Sequence, residues 1–239
     1  MLALNRNDPV VSAALTLGVY EVHEIQFFRR YFRAGMTFVD VGANLGLYTA
    51  LVIRQQAAHI LCVEPHPEAY DYLLATIRLN SGHSTVVTRQ VAASSVAGEV
   101  ELFSNPDNKG DNRIYPDPLL RSRVKVPTAR LDELCLSAHI DRIDFLKVDV
   151  QGTEGKVLEG AGEILKKSPN CIMMLEFWPQ GLRACESEPS AFLDSLATPG
   201  RRLFEMVGNR LIPAEPSRLL STTAGRRYRN LVSTGPSFP

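Results

Sequence analysis

The chain has 239 residues, 45% of them hydrophobic and 22% charged, the profile of a folded globular domain, which excludes the disordered and low-complexity classes. Lys plus Arg equal Asp plus Glu at 26 each, so the chain as a whole carries no electrostatic footprint for nucleic acid or an acidic membrane, while local basic patches stay open. This length suits one α/β domain over 1–239, with a helical cap over 1–35 and a core over 36–239.

The short apolar run near the N-terminus follows Asn5, Arg6, Asn7 and Asp8 and is closed by no small-residue cleavage site, so no signal peptide is read. No stretch approaches the roughly 18 apolar residues of a membrane span. Cys62, Cys135, Cys171 and Cys185 form no CxxC pair and read as buried free thiols of a cytoplasmic protein. Residues 10–34 look helical, with apolar faces broken at Gly18.

Residues 36–51, MTFVDVGANLGLYTAL, then read as strand, glycine turn and helix. Gly42 and Gly46 lack Cβ, which lets backbone N–H groups approach a ligand, and the turn feeds a helix N-terminus with unpaired donors. The pattern Asp40-x-Gly42-x-Asn44-x-Gly46 is narrower than a bare GxxxG and points to a nucleotide-like ligand, with Asp40 facing a positive group. A helix over 47–55 and a strand over 59–64 complete a βαβ unit, so the two strands are parallel neighbours. Glu64 stands about two dozen residues beyond Asp40, near the spacing at which an acidic side chain meets ribose hydroxyls. A solvated strand-end carboxylate is the alternative.

Residues 67–80 read as a helix with Pro67 in its first turn, and 85–93 as a strand whose small end, around Ala92, suits either an adenine or a plain terminus. Alternation over 99–103 and 123–128 predicts two half-exposed strands, joined by a polar loop over 104–118. There Asn105, Lys109, Asp111, Asn112 and Arg113 are candidates for a substrate entrance, or simply a solvated loop. A central strand over 143–150 carries Lys147 and Asp149, which share a side with Gln151 by period two, and a helix over 155–167 follows. The strand over 171–177 ends near Glu176, so Asp149 and Glu176 should approach one cleft beyond the strand ends. A helix over 189–197, a hairpin around Asn209 and a last strand over 231–234 close the chain.

FVDVGANLGLYT, CVEP, VPTARLDEL, IDFLKVDVQGTEGKVLEGA and MMLEFWP, with Tyr20-Glu21 ahead of them, resemble the FkbM-type methyltransferases over about residues 18–235. The resemblance implies a Rossmann-like, class I methyltransferase sheet of seven strands, the last antiparallel, and S-adenosylmethionine as methyl donor. It implies that Asp40, Gly42, Asn44 and Gly46 hold the methionine end, Glu64 the ribose and the Ala92 region the adenine, with Tyr20 and Glu21 as lid contacts. Family members mostly methylate hydroxyls of sugars, polyketides and other small molecules. Gln151 departs from the glutamate common at that place, which weakens any mechanism that relies on a carboxylate there.

For transfer to a hydroxyl, Asp149 is the first candidate base, Lys147 its tuning or orienting partner and Glu176 the second candidate, while Glu154 reads as a helix N-terminal acid. A divalent metal held by Asp149 and Glu176 is not favoured, because two carboxylates without a third ligand make a thin site. The expected partner is a small-molecule hydroxyl acceptor, and a homodimer stays open. An NAD-dependent dehydrogenase would show G-x-G-x-x-G, which the turn lacks. A nucleic-acid methyltransferase would use Arg121, Arg123, Lys125, Arg130, Arg226, Arg227 and Arg229 on phosphates, but no aminomethylase or Pro-Cys motif accompanies them. A noncatalytic cofactor-binding protein of the same fold is the third reading.

Overall fold

The computed structural model describes residues 1–5, 8, 10–80, 82–105, 108–115, 122–225 and 227–239. In chain order the elements are α1 (Val11–Thr16), α2 (Val22–Tyr31), β1 (Phe38–Val41), α3 (Leu47–Arg54), β2 (His59–Val63), α4 (Pro67–Arg78), β3 (Thr85–Arg89) and β4 (Ala92–Ser94). They continue with β5 (Gly98–Ser104), β6 (Ser122–Arg130), α5 (Leu131–Ser137), β7 (Phe145–Val148), α6 (Glu154–Glu159), α7 (Gly162–Lys166), β8 (Ile172–Phe177) and α8 (Pro179–Ala184). The last are α9 (Pro189–Leu196), β9 (Arg202–Val207), β10 (Arg210–Pro213), α10 (Pro216–Thr222) and β11 (Arg229–Thr234).

Among the described residues the large sheet has eight strands in the order β10-β9-β11-β8-β7-β1-β2-β3. From β3 through β8 all neighbours are parallel, and β11 inserts antiparallel between β8 and β9. The Rossmann-like class I arrangement with an antiparallel last strand is therefore present, and the count of seven is corrected to eight. The extra strand is β10, which the turn at Gly208 folds back onto β9.

Alternation along β1 and β2 sorts the core into two layers. Val39, Val41, Leu61 and Val63 face one side with Leu131, Val157 and Leu193 from α5, α6 and α9. Phe38, Ile60 and Cys62 face the other, with Phe27, Phe28, Tyr48 and Leu73 from α2, α3 and α4. Phe28 meets Phe145 edge-on at 4.7 Å and Phe38 at 5.3 Å, which seats the N-terminal cap on the sheet.

Two expected spans break, and the helical stretch over 10–34 is interrupted at Gly18 as its apolar pattern predicts. The 85–93 strand ends at Arg89, and Ala92–Ser94 turns away to pair with β6 in a separate three-stranded sheet, β4-β6-β5. The 155–167 helix divides around Gly160, where a Cβ would lie 2.1 Å from the Ser94 carbonyl oxygen. The 10–34 helix is two helices, interrupted by Gly18 at φ +70° and by Glu21, held left-handed at φ +45°. All four cysteines are free and buried. Among the described residues no helix is long and apolar enough to cross a membrane.

Candidate active site

The carboxyl ends of β1, β2, β7 and β8 open into two joined cavities. The inner one has a water-accessible volume of about 80 Å³, and the outer one about 710 Å³. Gly42, Ala43 and Asn44 form the inner floor, and Val63, Pro65, Ala92 and Ala93 one wall. At Gly42, φ is +79° and a Cβ would lie 1.9 Å from the Asp149 carbonyl oxygen, so glycine alone lets the ends of β1 and β7 meet.

The expectation that the loop's N–H groups turn toward a ligand is corrected. Gly42 and Ala43 donate to the Val63 carbonyl at 2.9 and 3.1 Å, and Asn44 N–H donates to Glu64 Oε2 at 2.8 Å. Glu64 also accepts from His66 N–H at 2.8 Å. Burial pushes its carboxyl up to about 7 against those two hydrogen bonds.

Two of the predicted cofactor residues lie behind the cavity lining. Asp40 points with Cys62 toward α3, where Thr49 Oγ1 donates to it at 3.3 Å, because alternation in β1 puts it on the face opposite Val39 and Val41. It is in register with Lys147 of β7 and acts as that cation's neighbour. Burial raises Asp40 to about 6 even with Lys147 beside it. Gly46 faces α4 instead, since a Cβ there would lie 2.9 Å from Leu73 and 3.2 Å from Thr76. It is a packing glycine.

Lys147, Asp149, Gln151 and Glu21 line both cavities. Lys147 Nζ stands 3.4 Å from Asp149 Oδ2 and 5.0 Å over the Tyr48 ring, and Gln151 Nε2 donates to Asp149 Oδ1 at 2.9 Å. Burial alone would lower the Lys147 pKa, but Asp149, Asp40 and Glu21 together outweigh it and raise the value, so the side chain stays charged. Tyr48 OH donates to Glu21 Oε2 at 2.6 Å. Burial raises Glu21, with Lys147 opposing. Burial, then Glu21, likewise raises Tyr20, another shared wall residue.

Glu154 faces away from both cavities. It accepts from Val150 N–H at 3.2 Å and from Gly152 N–H at 3.1 Å, closing the turn that carries Gln151 at φ +54°. This is the N-terminal role expected of it, and burial pushes its carboxyl up to about 7.

The outer cavity takes Met174, Glu176 and Trp178 from the end of β8, and Tyr228 and Asn230 from the start of β11. Glu176 accepts no hydrogen bond from any described residue. Burial, then Asp149 and Glu154, drives its pKa well above the usual carboxylate range. Trp178 donates to the Gly225 carbonyl at 2.9 Å, while the Arg113 guanidinium covers its ring at 4.7 Å. Tyr48 and Trp178 were absent from the sequence-based site. Trp178 directly follows the apolar run of β8, and Tyr48 stands two residues past Gly46, so both had a positional signal.

Residues 108–114 of the polar loop border this mouth. Lys109 and Asn112 line the inner cavity, Asp111 and Arg113 the outer one, and Asn105 lines neither but donates to Asp111 at 3.1 Å. Glu68 on α4 grips two segments together. Its Oε2 lies 2.9 Å from Lys109 Nζ, and its Oε1 accepts from Asn5 Nδ2 at 2.9 Å. Of the candidate phosphate contacts, Arg123, Arg130 and Arg229 are each paired with a carboxylate, Glu101, Asp132 and Glu205 respectively. Arg121 and Arg226 fall outside the described residues, as do Arg6, Asn7 and positions 106, 107 and 116–118. Among the described residues no three His, Cys, Asp or Glu side chains are grouped to hold a metal ion.

The profile of the FkbM methyltransferase domain matches residues 40–194, from the glycine turn through α9. The chain is 30% identical to methyltransferase sdnD of Sordaria araneosa over 175 residues, 61% of this chain and 68% of that protein. It is 28% identical to 2-O-methyltransferase NoeI of Sinorhizobium fredii over 186 residues, 71% and 72% of the two chains. In fold it is similar to the O-methyltransferase TomG from Streptomyces achromogenes, with a TM-score of 0.51 at 9% identity over 93% of this chain and 86% of that one. The chain belongs to the FkbM methyltransferase domain family, and S-adenosylmethionine is its methyl donor.

Proposed function

We propose that this protein methylates a hydroxyl of a small molecule or sugar, with Asp149 as the general base. The observation that carries this reading is the place of Asp149. It lines the inner and outer cavities alike, with its side chain 28% exposed between Lys147 and Gln151.

The inner residues fit the donor. S-adenosylmethionine is cationic at sulfur and at its amine, and the inner lining carries Glu21, Glu64 and Asp149 against Lys109 and Lys147, of which Lys147 is already paired with Asp149. Glu64 keeps lone pairs beyond its two backbone hydrogen bonds, in the right chemistry for ribose hydroxyls, and Ala92 with Pro65 supplies an apolar wall for a purine. Gly42, Asn44 and Glu21 border the remaining end. When bound, the donor supplies an electrophilic methyl carbon, which bonds to the acceptor oxygen as its bond to sulfur breaks.

The chain's own residues hold the acceptor and manage the proton. Asp149 takes the hydroxyl proton as the oxygen becomes a nucleophile, and Lys147 and Gln151 fix the carboxylate from either side. Positioning the oxygen about 3–3.5 Å from the methyl carbon provides much of the acceleration. Residues 108–114 of the polar loop and α1 border the reacting centre.

The test is incubation of the full chain with labelled S-adenosylmethionine and a panel of polyols and sugars, with the product analysed by NMR. A new O-methyl signal that Asp149→Asn removes is expected. Methyl transfer to nitrogen or carbon, or undiminished transfer by the variant, overturns the reading.

A further inference from the structure

The outer cavity is too negative for an anionic guest. Its lining holds Glu21, Glu24, Asp111, Asp149 and Glu176, with Lys147 and Arg113 as the cations among the described residues, and His23 at the rim. Both cations are already engaged, Lys147 with Asp149 at 3.4 Å and Arg113 with Asp111 at 2.5 Å. Glu21 borders the donor's cavity as well, which leaves Glu24 and Glu176 as carboxylates that face the outer chamber without an ion pair among the described residues.

These two converge through the sheet. Glu176 of β8 stands directly opposite Asn230 of β11, so their side chains share a face, and Asn230 Nδ2 donates to Glu24 of α2. Period two puts Trp178 beyond Glu176 and Tyr228 before Asn230 on that face, and all of them line the chamber. Two carboxylates beside the Tyr228 ring, with the Trp178 ring already faced by Arg113, suit a cation that also offers an apolar edge.

We propose that the acceptor carries a protonated amine near its reacting hydroxyl, as an amino sugar or amino polyol does, and that Glu176 and Glu24 receive it. The inference rests on the reading of this site as one for hydroxyl methylation, and it makes the acceptor pocket selective by charge. An ammonium offsets the burial and the Asp149 repulsion that push the Glu176 carboxyl up; a neutral hydroxyl brings no charge to offset them, and a carboxylate or phosphate on the acceptor adds repulsion.

The test uses the full chain saturated with S-adenosylhomocysteine and a matched set of methyl glycosides of glucosamine, glucose and glucuronic acid, titrated by calorimetry. The glucosamine derivative should bind about tenfold tighter than the glucose one, and the glucuronic acid derivative weakest. Glu176→Gln and Glu24→Gln, each checked for unchanged S-adenosylhomocysteine affinity, should shrink the amine preference below about threefold. Equal or tighter binding of the glucuronic acid derivative, an amine preference that survives both substitutions, or no binding of any member overturns the inference. Product analysis on the same set separates the two ideas: amine-selective binding without O-methylation removes the hydroxyl reading alone, whereas O-methylation of the glucuronic acid derivative removes the charge inference alone.

Discussion

Gln151 Nε2 lies 2.9 Å from Asp149 Oδ1, on the carboxylate oxygen that Lys147 does not face. A glutamine here donates to the base, where an ionised glutamate would repel it. The Gln151 substitution is therefore compatible with catalysis. Gln151→Glu should move the acidic limb of the pH–kcat profile upward, because a second carboxylate favours protonated Asp149, and should cut turnover near neutral pH severalfold. A superimposable profile would separate Gln151 from the base.

Asp149→Ala should lower kcat by about 10²–10⁴-fold, the usual contribution of a positioned base, while calorimetric affinity for S-adenosylmethionine changes less than about threefold. Turnover near the native rate would end the base assignment.

Glu64→Ala should weaken S-adenosylmethionine binding at pH 8, where the carboxyl is ionised, by about tenfold or more, since one ionised hydrogen-bonding partner contributes about 1.5–3 kcal/mol. Asp40→Ala should act on stability first, through the gap beside Thr49 and Lys147, with a drop in Tm larger than any change in affinity. A Glu64 variant with native affinity would move the ribose site elsewhere.

Glu64 and Glu154 both have carboxyl groups pushed up to about 7 by burial. The unfolded chain releases these protons near pH 4.3, and the folded one only near 7. The native state thus binds more protons in between, and stability falls as pH rises across that window, then levels off. Differential scanning calorimetry of the ligand-free protein should give a lower Tm at pH 8 than at pH 5. Glu154→Gln keeps an acceptor for the turn and should raise Tm by a few degrees at pH 8, roughly 2–4 °C per kcal/mol, with little change at pH 5. Equal gains at both values would point to a cause other than ionisation.

Gly42→Ala should destabilise the protein by about 3 kcal/mol or more, because both the left-handed backbone and the 1.9 Å approach to Asp149 oppose a side chain. Native thermal stability in this variant would show that the β1 and β7 ends can separate freely.

Much of this site was legible because local rules act on contiguous residues. The strand–turn–helix from Phe38 to Arg54 and the strand ends at Glu64, Asp149 and Glu176 follow from hydrophobic period and glycine placement, and all three carboxylates do border the cavities. What stayed hidden depends on partners distant in sequence. Nothing near Asp40 says that its face belongs to α3, and nothing in the glycine turn says that Val63 takes its N–H groups. The turn of Ala92–Ser94 toward β6 likewise depends on a pairing with a strand more than 30 residues on.

Glu68 holds the N-terminal segment through Asn5 and the polar loop through Lys109, so one carboxylate ties two segments distant in sequence together. The ion pair is partly in solvent and, as such pairs go, worth about 0–1 kcal/mol, so it ties the segments only lightly. Added salt screens this pair, so the tie between the two segments loosens as ionic strength rises.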